Sequence, residues 1–479
     1  MIRRGIYGAI LFVVVAVGLV VSRNAEPSTG TSFSAEFRPG TPSLDDRPDV
    51  VTATWFCGGT SALGQSAEGE YGGELIISNP TDSPVSGLVT ILTGDQAPMA
   101  EVVTVEPRAK LVYDVDAKVT APFASTLVEL DDSRASVEQR AIHPAGAAVA
   151  PCANQTSSEW FFPDGFTASS SDFRILISNP YLSPAIVDLD VSTQNGPRSP
   201  SNLQGFVVPA RSLRVVNIST SGFRDEKIAA ISVRATAGRI VAAKYQHYLG
   251  TGRLGHIMAL GAPSTADQWW FADGEKGSGV AENYMILNPT SAEVVADLVV
   301  LGLDPTAPPV PSSSVTIPPG EVVVFDMANV AGLPDGRHGV LVASRSGPSI
   351  VVERVLTRPV ESTVATTAMI GIQGGYQSKR WVIPVSSNLA LEGALVILNT
   401  SGFAGTVTVS SVGPGGSEPV PRLTNLAIPA NGILVIDLVD EILRGRSLEV
   451  ESDQLILVER RLERTATLRG RSGSWAIPE

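Results

Sequence analysis

The sequence predicts an all-β protein: an N-terminal transmembrane helix followed by four tandem immunoglobulin-like antiparallel β-sandwich units. Three observations predict it. A tryptophan-centred stretch recurs along the chain, and its five copies hold all six tryptophans. Each of the first four copies opens the same succession of short alternating strands and proline turns. An uncharged apolar run lies near the N-terminus.

The chain has 479 residues, a length that suggests roughly three or four domains. Hydrophobic residues make up 43% and charged residues 17%, enough apolar material for a packed core. The 45 Gly and 34 Pro, with abundant Val, Ile, Thr and Ser, favour many short strands joined by turns. The formal net charge of −13 argues against nucleic-acid binding, which needs a basic footprint. It also argues against broad adhesion to anionic lipid.

The first element is the run Gly5 to Val21. As a helix it would rise about 25 Å, at the short end for crossing a bilayer. Arg3 and Arg4 precede it, so the positive-inside rule keeps this end in the cytoplasm and exports the rest. A cleaved signal peptide has the same ingredients. Ser22-Arg23-Asn24-Ala25 is a poor cleavage site, so the expectation for residues 1–22 is a retained signal anchor; cleavage would give a secreted protein. Residues 23–50 are rich in Ser, Thr, Pro, Gly and charge and read as a flexible linker. Export places Cys57 and Cys152 in an oxidising compartment, where a disulfide is the default. A free pair or an intermolecular bond is the alternative.

The four units are expected at 51–158, 159–267, 268–379 and 380–479. Their Trp stretches begin at Trp55, Trp160, Trp269 and Trp381, and a fifth at Trp475. After each of the first four comes an apolar strand ending at Asn79, Asn179, Asn288 or Asn399. The Trp-to-Asn spacings are 24, 19, 19 and 18. An alternating strand follows, then a proline turn and an apolar run ending at Asp114, Asn217, Asp326 or Asp437. Period-two alternation marks half-buried strands, and proline at the turn supplies a fixed φ without an amide donor. Late strands such as VVERVL and LVERRL complete the unit. About seven short strands in some 100 residues is the immunoglobulin-like pattern. The alternative is a β-propeller-like closed ring. The Trp475 stretch, after four full units, favours an open row. It also suggests that the Trp strand is a seam, packing its indole between consecutive units or over the open end of a sandwich. A Cys57–Cys152 bridge would tie the start of unit one to its end.

The run W-F-F-x-D-G, then I-L-I-S-N-P, a proline turn and I-V-V-E-R resembles repeats of exported bacterial surface proteins. The overall plan is similar to an actinobacterial family of membrane-anchored exported proteins of unknown function. The resemblance covers most of the chain from about residue 50 and is strongest in units two and three. Unit four departs from it at Thr400, and unit one has Cys57 where the motif has an aromatic. It implies envelope location and a repeated β fold, and it carries no catalytic residue.

Chemistry is sparse. His143, His247, His256 and His338 show no H-x-H or H-x-x-x-H spacing, although His247 and His256 could meet across a hairpin. There is no G-x-S-x-G elbow. Asp164, Asp273, Glu353 and Glu459 recur once per unit, which marks them as structural. Asp164-Gly165 and Asp273-Gly274 read as turns; Glu353-Arg354 and Glu459-Arg460 read as cross-strand or cap partners. Asp45-Asp46 and Asp131-Asp132 lack the dense oxygen spacing of a calcium loop. No catalytic residue, metal or cofactor is expected. Trp269 and Trp270 are the candidate binding residues, as a platform for a sugar ring. The competing reading puts one in the core and the other in a seam. The expected function is a non-catalytic envelope scaffold or adaptor for a protein partner, with membrane contact through the N-terminal helix only. The alternative is a cell-wall carbohydrate-binding module, and a weaker one is an envelope hydrolase.

Overall fold

Alternating apolar and polar side chains make strands throughout, and the computed structural model is all-β with several antiparallel sheets. It describes residues 52–479, except 67–68, 251, 305, 307, 385–390, 414, 439–442, 444–445 and 465–470. The expected anchor (1–22), the linker (23–50) and Asp45-Asp46 lie outside the described residues. Among the described residues no helix is long and apolar enough to cross a membrane.

Each repeat has the same layout. The Trp strands are Ala53–Ala62, Glu159–Phe162, Gln268–Lys276 and Ser378–Ile383. Each pairs antiparallel with a mid-repeat strand: Ala121–Leu130, Ala229–Ala237, Gly336–Ser344 and the first part of Ser447–Arg464. The Asn strands are Gly69–Ser78, Asp172–Asn179, Ala281–Leu287 and Leu391–Asn399. They pair with the late strands Ser136–His143, Val241–Gly250, Val351–Val360 and the second part of Ser447–Arg464. On the far side of each late strand lies an inner strand: Gly146–Pro151, Arg253–Leu260, Thr363–Ile370 or Arg471–Trp475.

In repeats two and three, Gly238 and Gly347 adopt positive φ between the mid-repeat and late strands and separate them. Repeat four has Glu451-Ser452-Asp453-Gln454 there, without glycine or proline. Its two strands run on as one 18-residue strand, which merges both sheets into one of nine strands.

Trp55, Trp160, Trp269 and Trp381 are fully buried, each in the core of its own repeat. Their indole N–H groups donate to Ala135, Ile240, Ile350 and Ile456 carbonyls at 3.2, 3.0, 2.9 and 3.1 Å. Each indole therefore links the Trp strand to the head of the late strand in the same repeat. The expectation that these four indoles fill seams is corrected: they are interior pegs. Trp475 is not their equivalent. It ends an inner strand opposite Glu459, and its N–H donates to Ile370 of repeat three at 2.9 Å.

Asn79, Asn179, Asn288 and Asn399 are buried and act alike. Each amide nitrogen donates four residues ahead, to Ser83, Ser183, Ala292 and Phe403 at 2.7–2.8 Å. It also donates to the proline-turn carbonyls Glu106, Pro209, Pro318 and Pro429. Each amide oxygen accepts the backbone N–H two residues on. An amide side chain supplies two N–H donors and a separate carbonyl acceptor at once, which these contacts need.

The repeats do not form an open row. The four inner strands pack in a cycle, and the fourth meets the first. The described residues belong to one compact unit.

Candidate functional site

The cycle creates four seams around a central axis. Register fixes which residues correspond: Glu138, Ala243, Glu353 and Glu459 face Ile76, Leu176, Met285 and Val396. The next position holds Gln139, Lys244, Arg354 and Arg460. Across a seam, the acid of one repeat meets the cation of the repeat before it.

At the seam of repeats two and three, Glu353 reaches Lys244 at 2.5 Å and accepts the Asp164 amide at 3.0 Å. Lys244 also faces the Asp164 carboxylate at 3.5 Å, and Arg253 meets it at 3.0 Å. The Tyr248 hydroxyl donates to it at 2.5 Å. Two carboxylates thus face two cations. Burial opposes charge on Asp164, but Lys244 and Arg253 outweigh it and hold the carboxyl below its usual range. At Glu353 burial wins over Lys244, with Asp164 adding to it, and the carboxyl is pushed up.

At the seam of repeats three and four, Glu459 pairs with Arg354. It also accepts the Ala272 and Asp273 amides at 3.2 and 3.0 Å. Asp273 meets Arg337, Arg358 and Arg461 at 2.7, 3.2 and 2.5 Å. Burial opposes its charge, yet Arg358 and Arg461 hold it low. Behind them Glu282 pairs with His338 at 2.8 Å, both buried, and His338 outweighs burial to keep Glu282 low. Asp164 and Asp273 are therefore ion-pair hubs, not the turn residues that the sequence suggested. The glycine after each is there for close approach. A Cβ on Gly165 would lie 2.2 Å from Phe173, and one on Gly274 would lie 2.7 Å from Glu282 and His338.

The seam of repeats four and one is lighter. Arg460 donates to Glu138 at 2.7 Å and to Ser474 at 3.0 Å. Among the described residues the seam of repeats one and two has no equivalent pair. Ala243 stands where the acid would be, and Gln139 turns back to exchange two hydrogen bonds with Gly59 at 2.9 and 2.7 Å. The seam is filled by an apolar cluster including Phe123, Leu176, Tyr245 and Met258. Beside it His143 stacks on His256, centroids 4.5 Å apart, and packs edge-on against His247 at 4.5 Å. His247 and His256 face each other on the hairpin; the sequence did not disclose that His143 joins them. His143 Nδ1 accepts the Ala145 amide at 3.0 Å. Among the described residues no group of three His, Cys, Asp or Glu could hold a metal.

The candidate binding doublet is divided. Trp269 lies in its own repeat's core, and Trp270, half-buried, packs against the core of repeat four. Asp131 accepts the Ser86 amide at 2.8 Å, and Asp132 pairs with Arg134 at 2.8 Å. Cys57 and Cys152 form a disulfide, joining the first Trp strand to the residue after the first inner strand. The bridges Phe56–Ala153, Phe161–Ala262, Trp270–Ile372 and Val382–Ile477 align this position across the repeats. Its counterparts are Phe162 over Gly261, Phe271 over Gly371, and Ile383 beside Ala476. A Cβ on Gly261 or Gly371 would lie 2.7 or 2.6 Å from the facing phenylalanine.

At the axis the inner strands surround a cavity of about 100 Å³. One strand from each repeat contributes, and the lining is mostly carbon and sulfur.

Sequence reasoning missed Lys244, Arg354 and Arg460 as seam cations. The signal was present: a cation directly follows the position of the recurring acid in three repeats.

A comparison with curated proteins gives no match. A solved structure, the crystal structure of Thermotoga maritima 1070, is similar at 17% identity over 23% of this chain and 95% of that one. Its TM-score of 0.20 is too low to inform the fold. A family described as of unknown function matches residues 135–252 and 251–467. Those residues make up more than half of the sequence, and the chain belongs to this family of unknown function, DUF5719.

Proposed function

We propose that this protein is a non-catalytic, membrane-anchored extracytoplasmic scaffold or adaptor of the cell envelope that binds a protein partner. One observation carries the reading: large apolar side chains stand outward on loops pinned by buried asparagines. Leu182 is 79% exposed and Phe403 76% exposed, in the turns that follow Asn179 and Asn399. Loops on a rigid scaffold commonly carry recognition, and an outward apolar side chain on such a loop offers a protein partner an anchor. The disulfide fits an exported chain. The immunoglobulin-like character of the sheet pairs, the retained anchor and an actinobacterial origin belong to the same reading.

The test is crosslinking in living cells, with recovery of the protein and identification of what is attached. One envelope protein should be recovered repeatedly, and Leu182→Asp with Phe403→Asp should lower its yield several-fold while the unfolding temperature holds. Recovery of wall glycan alone would replace this reading with a carbohydrate-binding one.

A further inference from the structure

We propose that the axial cavity binds the end of an aliphatic hydrocarbon chain. This goes beyond the adaptor reading and does not depend on it.

The wall is mostly apolar, and its polar side chains have partners within the protein. Ser472 Oγ accepts the Val149 amide at 3.3 Å. Ser474 Oγ accepts from Arg460 at 3.0 Å. Gln373 donates to Ser264 at 3.0 Å. The Trp475 indole N–H donates to Ile370 at 2.9 Å, and that of Trp269 to Ile350. A buried water needs two to four polar partners, and each of these side chains already spends a hydrogen bond inside the protein. The space suits carbon.

Its emptiness is not imposed by packing. Unfilled apolar space costs stability, and folding alone would favour a larger side chain. Gly473 shows that one would fit: an added Cβ would meet only Met369 Sδ at 3.6 Å and Glu459 Oε1 at 3.9 Å, both ordinary contacts. Gly261 and Gly371 differ, because Phe162 and Phe271 press on them. Two of the six methionines, Met258 and Met369, line the wall. Their unbranched thioethers adapt to an irregular apolar guest.

The cavity is narrow. At about 100 Å³ it is smaller than an apolar cavity of about 150 Å³ that takes benzene or xenon, and it suits the end of a chain. Entry is available where Ala150, Ala259 and Ile370 are only half-buried.

The probe is 12-bromododecanoic acid, because bromine quenches indole fluorescence and Trp475 and Trp269 line the cavity. The purified full chain, held in a fluorinated surfactant, should show saturable quenching at one probe per chain. Gly473→Leu should reduce quenching several-fold without lowering its unfolding temperature. Ala259→Leu is the second filling variant, should Gly473→Leu fold poorly. Vesicles of brominated phosphatidylcholine give the other arm. Quenching by the acid alone assigns a free acyl chain; quenching by both assigns a membrane lipid. Quenching that never saturates, is absent with both probes, or survives in the filled variants overturns the proposal.

Discussion

The seam of repeats three and four and the seam of repeats one and two occupy equivalent places and are built from opposite materials. The first gathers Asp273, Glu275, Glu459 and four arginines. The second has Ala243 and Gln139 at the charged positions, with an apolar cluster and three imidazoles. A buried ion pair balances desolvation against Coulomb attraction and is weak evidence for stability. What it does enforce is pairing, because a lone buried charge is costly. The charged seams thus specify which repeat meets which, and the apolar seam relies on shape.

The largest test of this contrast is Glu459→Ala. It strands Arg354, which is 2% exposed, and should cost about 3–5 kcal/mol, read as a lower denaturation midpoint. Gln139→Ala at the other seam leaves two amide groups of Gly59 unmet and should cost about half as much. Equal losses would erase the distinction.

A second comparison uses the covalent tie of repeat one. Replacing Cys57 and Cys152 by serine should cost about 2–5 kcal/mol, since the bridge closes a long loop. The double change Cys57→Phe with Cys152→Gly copies Phe271 over Gly371 and should recover a measurable part of that loss in unfolding temperature. No recovery would mean that the aromatic pair depends on its own repeat.

Asn288→Asp keeps the acceptor and loses the donor. Three carbonyls, of Ala292, Ile317 and Pro318, then lose their partner. The expected cost is about 1–3 kcal/mol by chemical denaturation.

The smallest effect is with pH. Asp164, Asp273 and Glu282 have folded values below the ordinary ones. Their contribution is present above about pH 4 and is lost as pH falls through the lowered values. Glu353 is raised and acts with the opposite sign, so acid relieves it. Hydrogen exchange should show the backbone amide of Asp273, whose own carboxyl is among the lowered groups, losing protection in acid before the Gly59 amide, which the uncharged Gln139 holds. Simultaneous loss would sink the idea that charge governs one seam and not the other.

Local pattern made the repeats legible. Strand alternation, the recurring Trp and Asn positions and the proline turns act over a few tens of residues, and each appears in the fold. The seams were not legible, because their partners are far apart in sequence: Arg460 and Glu138 are 322 residues apart. The W-A-I-P at Trp475 misled for a specific reason. It copies W-V-I-P at Trp381, yet its register opposite Glu459 is that of Pro151, Leu260 and Ile370. Read by register, it completes repeat four, and the case for an open row falls with it. Trp269 and Trp270 stood out as a doublet, but neighbours on a strand face opposite sides, and these two serve different repeats.

The cycle of inner strands also bears on how such a chain can change length. An open stack gains or loses a unit at either end, and its partners merely shift along. Here every repeat already has two neighbours. A fifth would force all four seams to a new angle and pull Arg460 from Glu138, so the copy number is quantised by closure.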